Sequence, residues 1–281
     1  MLPIQAREAN QAPLRSDPDR VRPVTLRFLV AAKATSGRPP PTPAPERPET
    51  PPGRPEAPPG RPETAPAAGR PHLGGGAWVI GVSLDPQQPG WVRLAPDAGY
   101  DRGRLDRLRP YDVVRVEARP MWRLGCREIW RPLLHSMRTE HHLKQWQPRR
   151  RWLEPYVGGS MCRLERRPAR GPSLALIRAR DVSGLRLWPD RAPGGVRYRG
   201  AYRYRCHDPA CPGHEHEIVD WDFLALQRRL TALPDARLRR ALRNNYLYRM
   251  CAPDRAVAFY VGQADRPTDG FRVLGVYWPP R

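Results

Sequence analysis

Lysine is almost missing from this chain. Lys33 and Lys144 are the only two in 281 residues, and the other 47 of its 49 cationic side chains are arginines. No run approaches the roughly 18 apolar residues that a membrane-spanning helix needs. Residues 1–20 mix acids and bases without the apolar stretch of a secretory leader. The expectation is therefore a cytoplasmic protein. Thiols stay reduced there, so the five cysteines are not read as a disulfide framework. Also absent are G-x-S-x-G, a Walker A loop, a dinucleotide fingerprint and H-E-x-x-H, which removes the usual signatures of several enzyme classes. Phenylalanine is scarce, at 4, but 9 Trp, 10 Tyr and 40% hydrophobic residues supply enough for a buried core.

What is abundant is positive charge. Lys plus Arg outnumber Asp plus Glu by 49 to 28, a formal charge of +21. A GC-rich coding sequence explains arginine in place of lysine, but not the excess of cations. Such an excess repels itself unless something acidic is near, and nucleic acid is the usual partner. Arginine also grips phosphate in bidentate fashion and stacks on flat rings.

Proline is abundant too, and it is concentrated. Of the 35 residues in 37–71, 14 are proline, and the block PPGRPE occurs at both Pro51–Glu56 and Pro58–Glu63. A segment of this composition cannot bury a core, and the expectation is a disordered, polyproline-like insert. Its charges nearly cancel, five Arg against four Glu, so the basicity belongs to the folded parts. The insert is also a candidate ligand for a protein partner.

Around the insert, alternation predicts strands at Val24–Lys33, Ala77–Asp85, Trp91–Ala95 and Tyr111–Ala118, with a short helix or irregular piece at Asp101–Arg109. Further strands are expected at Ser173–Arg180, Gly184–Trp188, Arg197–Arg205, Val257–Gln263 and Phe271–Trp278. Helices are expected at Asp220–Leu230 and Asp235–Met250, split by Pro234. The resulting fold class is α+β. It comprises an N-terminal OB-like antiparallel barrel carrying the disordered insert, followed by a zinc-stapled α+β C-terminal domain. The boundaries are a disordered tail at 1–20, the barrel domain at 21–143 and the C-terminal domain at 144–281.

Two constellations carry chemistry. Cys206, Cys211, His214 and His216 fall within eleven residues, with Pro209, Pro212 and Gly213 bending the chain between them. Such a loop can deliver several ligands to one tetrahedral zinc. The expected set is Cys206, Cys211 and His214, with Cys251 or His216 as the fourth ligand and His207 as a further candidate. A closed set of this kind is structural. Downstream, Asp220 and Asp222 read as a helix cap and a first-turn carboxylate. With His216 they also form the alternative catalytic set of a metal-dependent nuclease. The second constellation is QWQPRRRW, where Trp146 and Trp152 flank Arg149, Arg150 and Arg151. Stacking on unpaired bases plus phosphate contact would use this composition. Inward-packing tryptophans with solvated arginines are the alternative.

The stretch from Arg205-Cys206-His207-Asp208-Pro209-Ala210-Cys211-Pro212-Gly213-His214, through Asp220-Trp221-Asp222 and Phe259-Tyr260-Val261-Gly262, to Leu274-Gly275-Val276-Tyr277 resembles an uncharacterised bacterial family with two linked OB-like domains. The first half fits more loosely, through Trp91-Val92-Arg93-Leu94 and Tyr111-Asp112-Val113-Val114. The resemblance implies that the Cys/His and Asp-Trp residues form a unit and that the barrels suit nucleic acid. It implies no activity. The leading expectation is a non-catalytic nucleic-acid-binding accessory protein. The alternatives are the nuclease and an adaptor that recruits a protein through the insert.

Overall fold

The structure is a computed structural model that describes residues 22–35, 77–95, 103–121, 128–166, 173–192, 195–263 and 270–281. The tail at 1–20 and the insert at 37–71 lie outside the described residues, as do Trp122 and Cys126.

Six strands build the first sheet: β1 (Val24–Thr35), β2 (Ala77–Ser83), β3 (Trp91–Leu94), β4 (Asp112–Pro120), β5 (Ile129–Pro132) and β6 (Arg138–His142). Their order is β1-β2-β3-β5-β4-β6, and β1 also pairs with β4. Strands β1 to β5 therefore close into an OB-like barrel, with β6 beside β4. The barrel departs from the expected all-antiparallel form at one seam, where β3 and β5 run parallel. A helix, α1 (Gly103–Arg107), sits between β3 and β4.

The second sheet has the order β11-β10-β7-β8-β9, all antiparallel. Its strands are β7 (Leu174–Ala192), β8 (Gly195–Cys206), β9 (His214–Glu217), β10 (Ala258–Gln263) and β11 (Phe271–Tyr277). The two strands expected at Ser173–Arg180 and Gly184–Trp188 are a single strand, β7. Irregularities between Ala179 and Asp181 and between Val182 and Gly184 let the polar residues stay in it.

Helices are not confined to the last third. α2 (Trp146–Leu153) and α3 (Met161–Glu165) precede β7. The first was hidden by an arginine run with no apolar period, the second by its length of little more than one turn. α4 (Trp221–Arg229) and α5 (Asp235–Arg243) follow β9, and α5 runs on into a π-helical segment, Asn244–Arg249. Among the described residues, no helix is long and apolar enough to cross a membrane.

Strand alternation sorts the apolar residues into three layers. Leu26, Phe28 and Val30 of β1 point into the barrel with Val79, Val92, Leu94, Val114 and Val116. Leu29, Ala32 and Ala34 point outward, and with Ile80 and Val82 they meet Leu174, Leu176, Ala258, Tyr260 and Leu274 of the second sheet. The opposite face of that sheet carries Ile177, Tyr202, Tyr204, Phe259, Val261 and Val273, covered by α3, α4, α5 and the cysteine loop. The outer wall of β1 and β2 is thus covered by the molecule's own second sheet, which Trp91 at the start of β3 also reaches.

The two sheets approach closely at Gly275 of β11. A Cβ there would lie 2.9 Å from Ala32 Cβ and 3.4 Å from a Tyr260 ring carbon. Gly275→Val should lower stability by about 1–3 kcal/mol through overpacking. Gly184→Ala should be close to neutral, since nothing lies within 4 Å of its added Cβ. Thermal unfolding of the two variants checks the contrast, and equal effects would contradict this contact.

Candidate metal centre and nucleic-acid interface

β8 alternates as expected. Tyr198, Tyr202, Tyr204 and Cys206 are buried, while Arg197, Arg199, Arg203 and Arg205 are exposed. The chain then turns sharply. Cys211 N–H donates to Asp208 O at 3.0 Å, and Gly213 adopts φ +107, a backbone state that suits glycine. This turn returns the chain as β9, paired with β8 through Tyr204 and His214.

Cys162, Cys206, Cys211 and His214 gather at this turn, with their ligating atoms all within 4.8 Å of one another. Cys162 Sγ lies 3.8 Å from Cys206 Sγ and 3.4 Å from His214 Nε2, and Cys211 Sγ lies 3.2 Å from His214 Nε2. A tetrahedron with metal–sulfur bonds near 2.3 Å has S···S edges of about 3.8 Å and S···N edges of about 3.5 Å. The four donors fit that frame and can hold a metal.

The surroundings orient the donors. Glu165, at the end of α3, accepts from His214 Nδ1 at 3.2 Å, which leaves Nε2 aimed at the sulfurs. Its other oxygen meets His216 Nε2 at 3.0 Å, and Tyr204 Oη is 3.0 Å from His216 Nδ1. Carboxylate-held imidazoles of this kind fix the tautomer of a metal-binding histidine. Burial pushes the Cys162 thiol up to about 12. Burial would raise Cys206 as well, but the backbone N–H groups of Cys162 and Asp208, with His214 and Ser160, outweigh it and hold that thiol down to about 5. A thiolate is the metal-binding form.

The fourth member of this cluster is Cys162, where the sequence pointed to Cys251 or His216. Cys251 lies elsewhere: its Sγ donates to Tyr246 O at 3.5 Å, and burial pushes its thiol up to about 12. His207 is exposed. His216 supports His214 through Glu165, and burial lowers its basicity. Cys162 and Glu165 were missed because they lie some 40 residues upstream on a short helix. The one available signal was arithmetic, since a chain with five cysteines has few candidates for a fourth ligand.

The alternative catalytic set does not assemble. Asp220 caps α4, accepting from Asp222 N–H at 2.8 Å. Burial, then the nearby Asp222, raises its carboxyl well above the usual range. His216 spends both ring nitrogens on Tyr204 and Glu165. Among the described residues, the groups able to hold a metal are the Cys162 set and Glu165/His214/His216, and neither contains Asp220 or Asp222.

The five candidate contact residues within QWQPRRRW are divided between packing and solvent. Trp146 is half-buried, 5.8 Å from Tyr111, 6.0 Å from Tyr277 and 5.5 Å from Trp278 between ring centroids. Arg149 lies 3.9 Å over the Tyr111 ring and donates to the carbonyls of Leu143 and Lys144. Tyr111 itself has a left-handed backbone, φ 74, which these contacts hold in place. Trp152 is partly buried against the interlayer core. Arg151 is exposed and Arg150 half-exposed. On the sheet face, Arg203 and Arg186 share Glu215 at 2.7 and 3.1 Å, and Arg199 bonds Glu217 at 2.6 Å. Much of that face is therefore already neutralised.

A family model described as a domain of unknown function (DUF8757) matches residues 194–281. That span runs from β8 to the last residue and holds Cys206, Cys211 and His214 but not Cys162. Among solved structures, a replication protein A heterotrimer bound to single-stranded DNA is similar at 11% identity and a TM-score of 0.32. The match covers 90% of this chain and 47% of that one, so the chain spans about half the length of the protein it matches. A likeness that weak carries no argument here. No curated protein matches.

Cys162→Ser should strip a stoichiometric metal from the purified chain, whereas Cys251→Ser should retain it. Elemental analysis reads both, and full metal retention by Cys162→Ser would contradict the ligand set.

Proposed function

We propose that this protein is a non-catalytic nucleic-acid-binding accessory protein whose second sheet is held by one structural zinc. The zinc ligands in this reading are Cys162, Cys206, Cys211 and His214. Three thiolates and one imidazole leave no open position, which suits folding and not hydrolysis. Zinc supplies crosslinking between α3, the end of β8 and the start of β9, with Glu165 and His216 as the orienting layer.

One observation carries the binding function. Between Phe223 and Pro253 the chain has seven arginines and a single carboxylate, Asp235. That carboxylate accepts from the Tyr198 hydroxyl. The positive charge of this helical region therefore has almost no internal counter-charge, unlike the sheet face. A polyanion relieves that repulsion, and phosphate is the group arginine meets best. The proline-rich insert is a separate matter, and its recruitment of a protein partner stays with the adaptor alternative.

The expected behaviour is binding of oligonucleotides that weakens with salt. With about four phosphates contacted, log K should fall with log salt at a slope near −3 for a single strand. Fluorescence anisotropy across a salt series measures it. No cleavage should accompany binding, with or without added divalent metal. Cleavage that Asp220→Asn abolishes would overturn this reading in favour of the nuclease.

A further inference from the structure

We infer that the outer side of α5 and the π-helical segment that follows is a single-strand binding ridge, with Tyr248 as its base-stacking platform. The inference rests on the nucleic-acid reading above and names the surface and the form of the ligand.

The helix has two sharply different sides. Leu238, Leu242 and Tyr246 are buried against the second sheet's outer core. Arg240, Arg243, Asn244 and Tyr248 are exposed, spaced so that they fall one turn apart on the opposite side, with Arg237 flanking. Among the described residues, no side-chain hydrogen bond, ion pair or ring contact engages Arg237, Arg240 or Arg243. This differs from the sheet face, where Glu215 and Glu217 take up Arg186, Arg199 and Arg203.

Tyr248 is the second observation. It is 65% exposed and stands alone among the described residues as a large hydrophobic side chain in the open. The tyrosines at 198, 202, 204, 246, 260 and 277 are all buried. The π spacing, in which Met250 N–H bonds Asn245 O, carries the chain past Tyr246 and leaves Tyr248 on the arginine side. An exposed ring beside unpaired arginines is what sequence-tolerant single-strand binding requires: cations for the phosphates and a π-face for the base. A duplex offers the phosphates but keeps its base faces stacked, so the ring selects the unpaired strand. Trp278, by contrast, is already covered by Arg249 at 5.6 Å and Arg255 at 5.2 Å.

The test uses the full chain, a fluorescent oligothymidylate of about 20 nucleotides, and the same length of duplex. Arg240→Gln/Arg243→Gln should reduce the single-strand salt slope by about 1.4, two phosphates at 0.7 each. Tyr248→Ala should weaken single-strand binding about 10-fold, as expected for loss of one stacked base, while leaving duplex binding unchanged. Arg150→Gln/Arg151→Gln serves as the control of equal charge on another surface and should change affinity less. All the variants alter exposed or half-exposed side chains, so an unchanged melting temperature confirms that the fold is intact. If wild type binds and the Arg240/Arg243 and Tyr248 variants bind equally well, the ridge is wrong and the broader reading survives. If α2 substitutions remove binding instead, the ridge is likewise overturned. If wild type binds neither probe, the nucleic-acid reading falls and takes the ridge with it.

Discussion

The architecture depends on a sheet that must be covered on both sides. β7, β10 and β11 present apolar residues to each face, because Leu176 and Tyr260 point one way and Ile177 and Phe259 the other. One side is satisfied by the barrel wall, at a contact tight enough that Gly275 meets Ala32 without room for a side chain. The other is satisfied by short helices and a turning loop. The barrel wall so used is the side of β1 and β2.

The second cover is where the cysteine cluster matters. α3 is five residues long, burying Met161, Cys162 and Leu164, and the loop before β9 is rich in proline and glycine, so neither is a stable element on its own. Isolated helices of that length are unstable in water. Bringing Cys162, Cys206, Cys211 and His214 together ties them to the end of β8, under Tyr204 and Phe259. Glu165 then links His214 to His216, so that β9 and α3 are joined by polar as well as apolar contacts. Charge follows the same division: the sheet edge at β9 supplies acids to the β8 arginines, while α4 and α5 lie beyond their reach.

Much of this was legible in the sequence where period and composition agree. Most of β4 and β8 follows alternation, and the tyrosine and arginine faces of β8 fall where period two puts them. The turning loop at Cys206–His214 was visible from its prolines and glycine. What escaped was long-range. Cys162 and Glu165 reach the cluster only once β7 and β8 have formed, and no local spacing reports that. β5 and β6 are four and five residues long, too short for length or pattern to mark them. QWQPRRRW shows no helical period in its sequence. It is a helix that gives Trp146 and Arg149 to the packing around Tyr111, because tertiary contact with Tyr277 and Trp278 outweighs a weak local preference. Tyr248 was invisible as a special residue, since only the burial of its neighbours makes its exposure unusual.

On the proposed reading, a metal bound at the Cys162 cluster joins the outer core and the arginine-bearing helices into one cooperative unit apart from the barrel interior. Hydrogen exchange followed by mass spectrometry, before and after removal of metal with a chelator, tests it directly. Protection should be lost at residues 161–166, 206–217 and 235–250, with β1, β2 and β4 unchanged. Protection unchanged everywhere, or lost equally in the barrel, would contradict it.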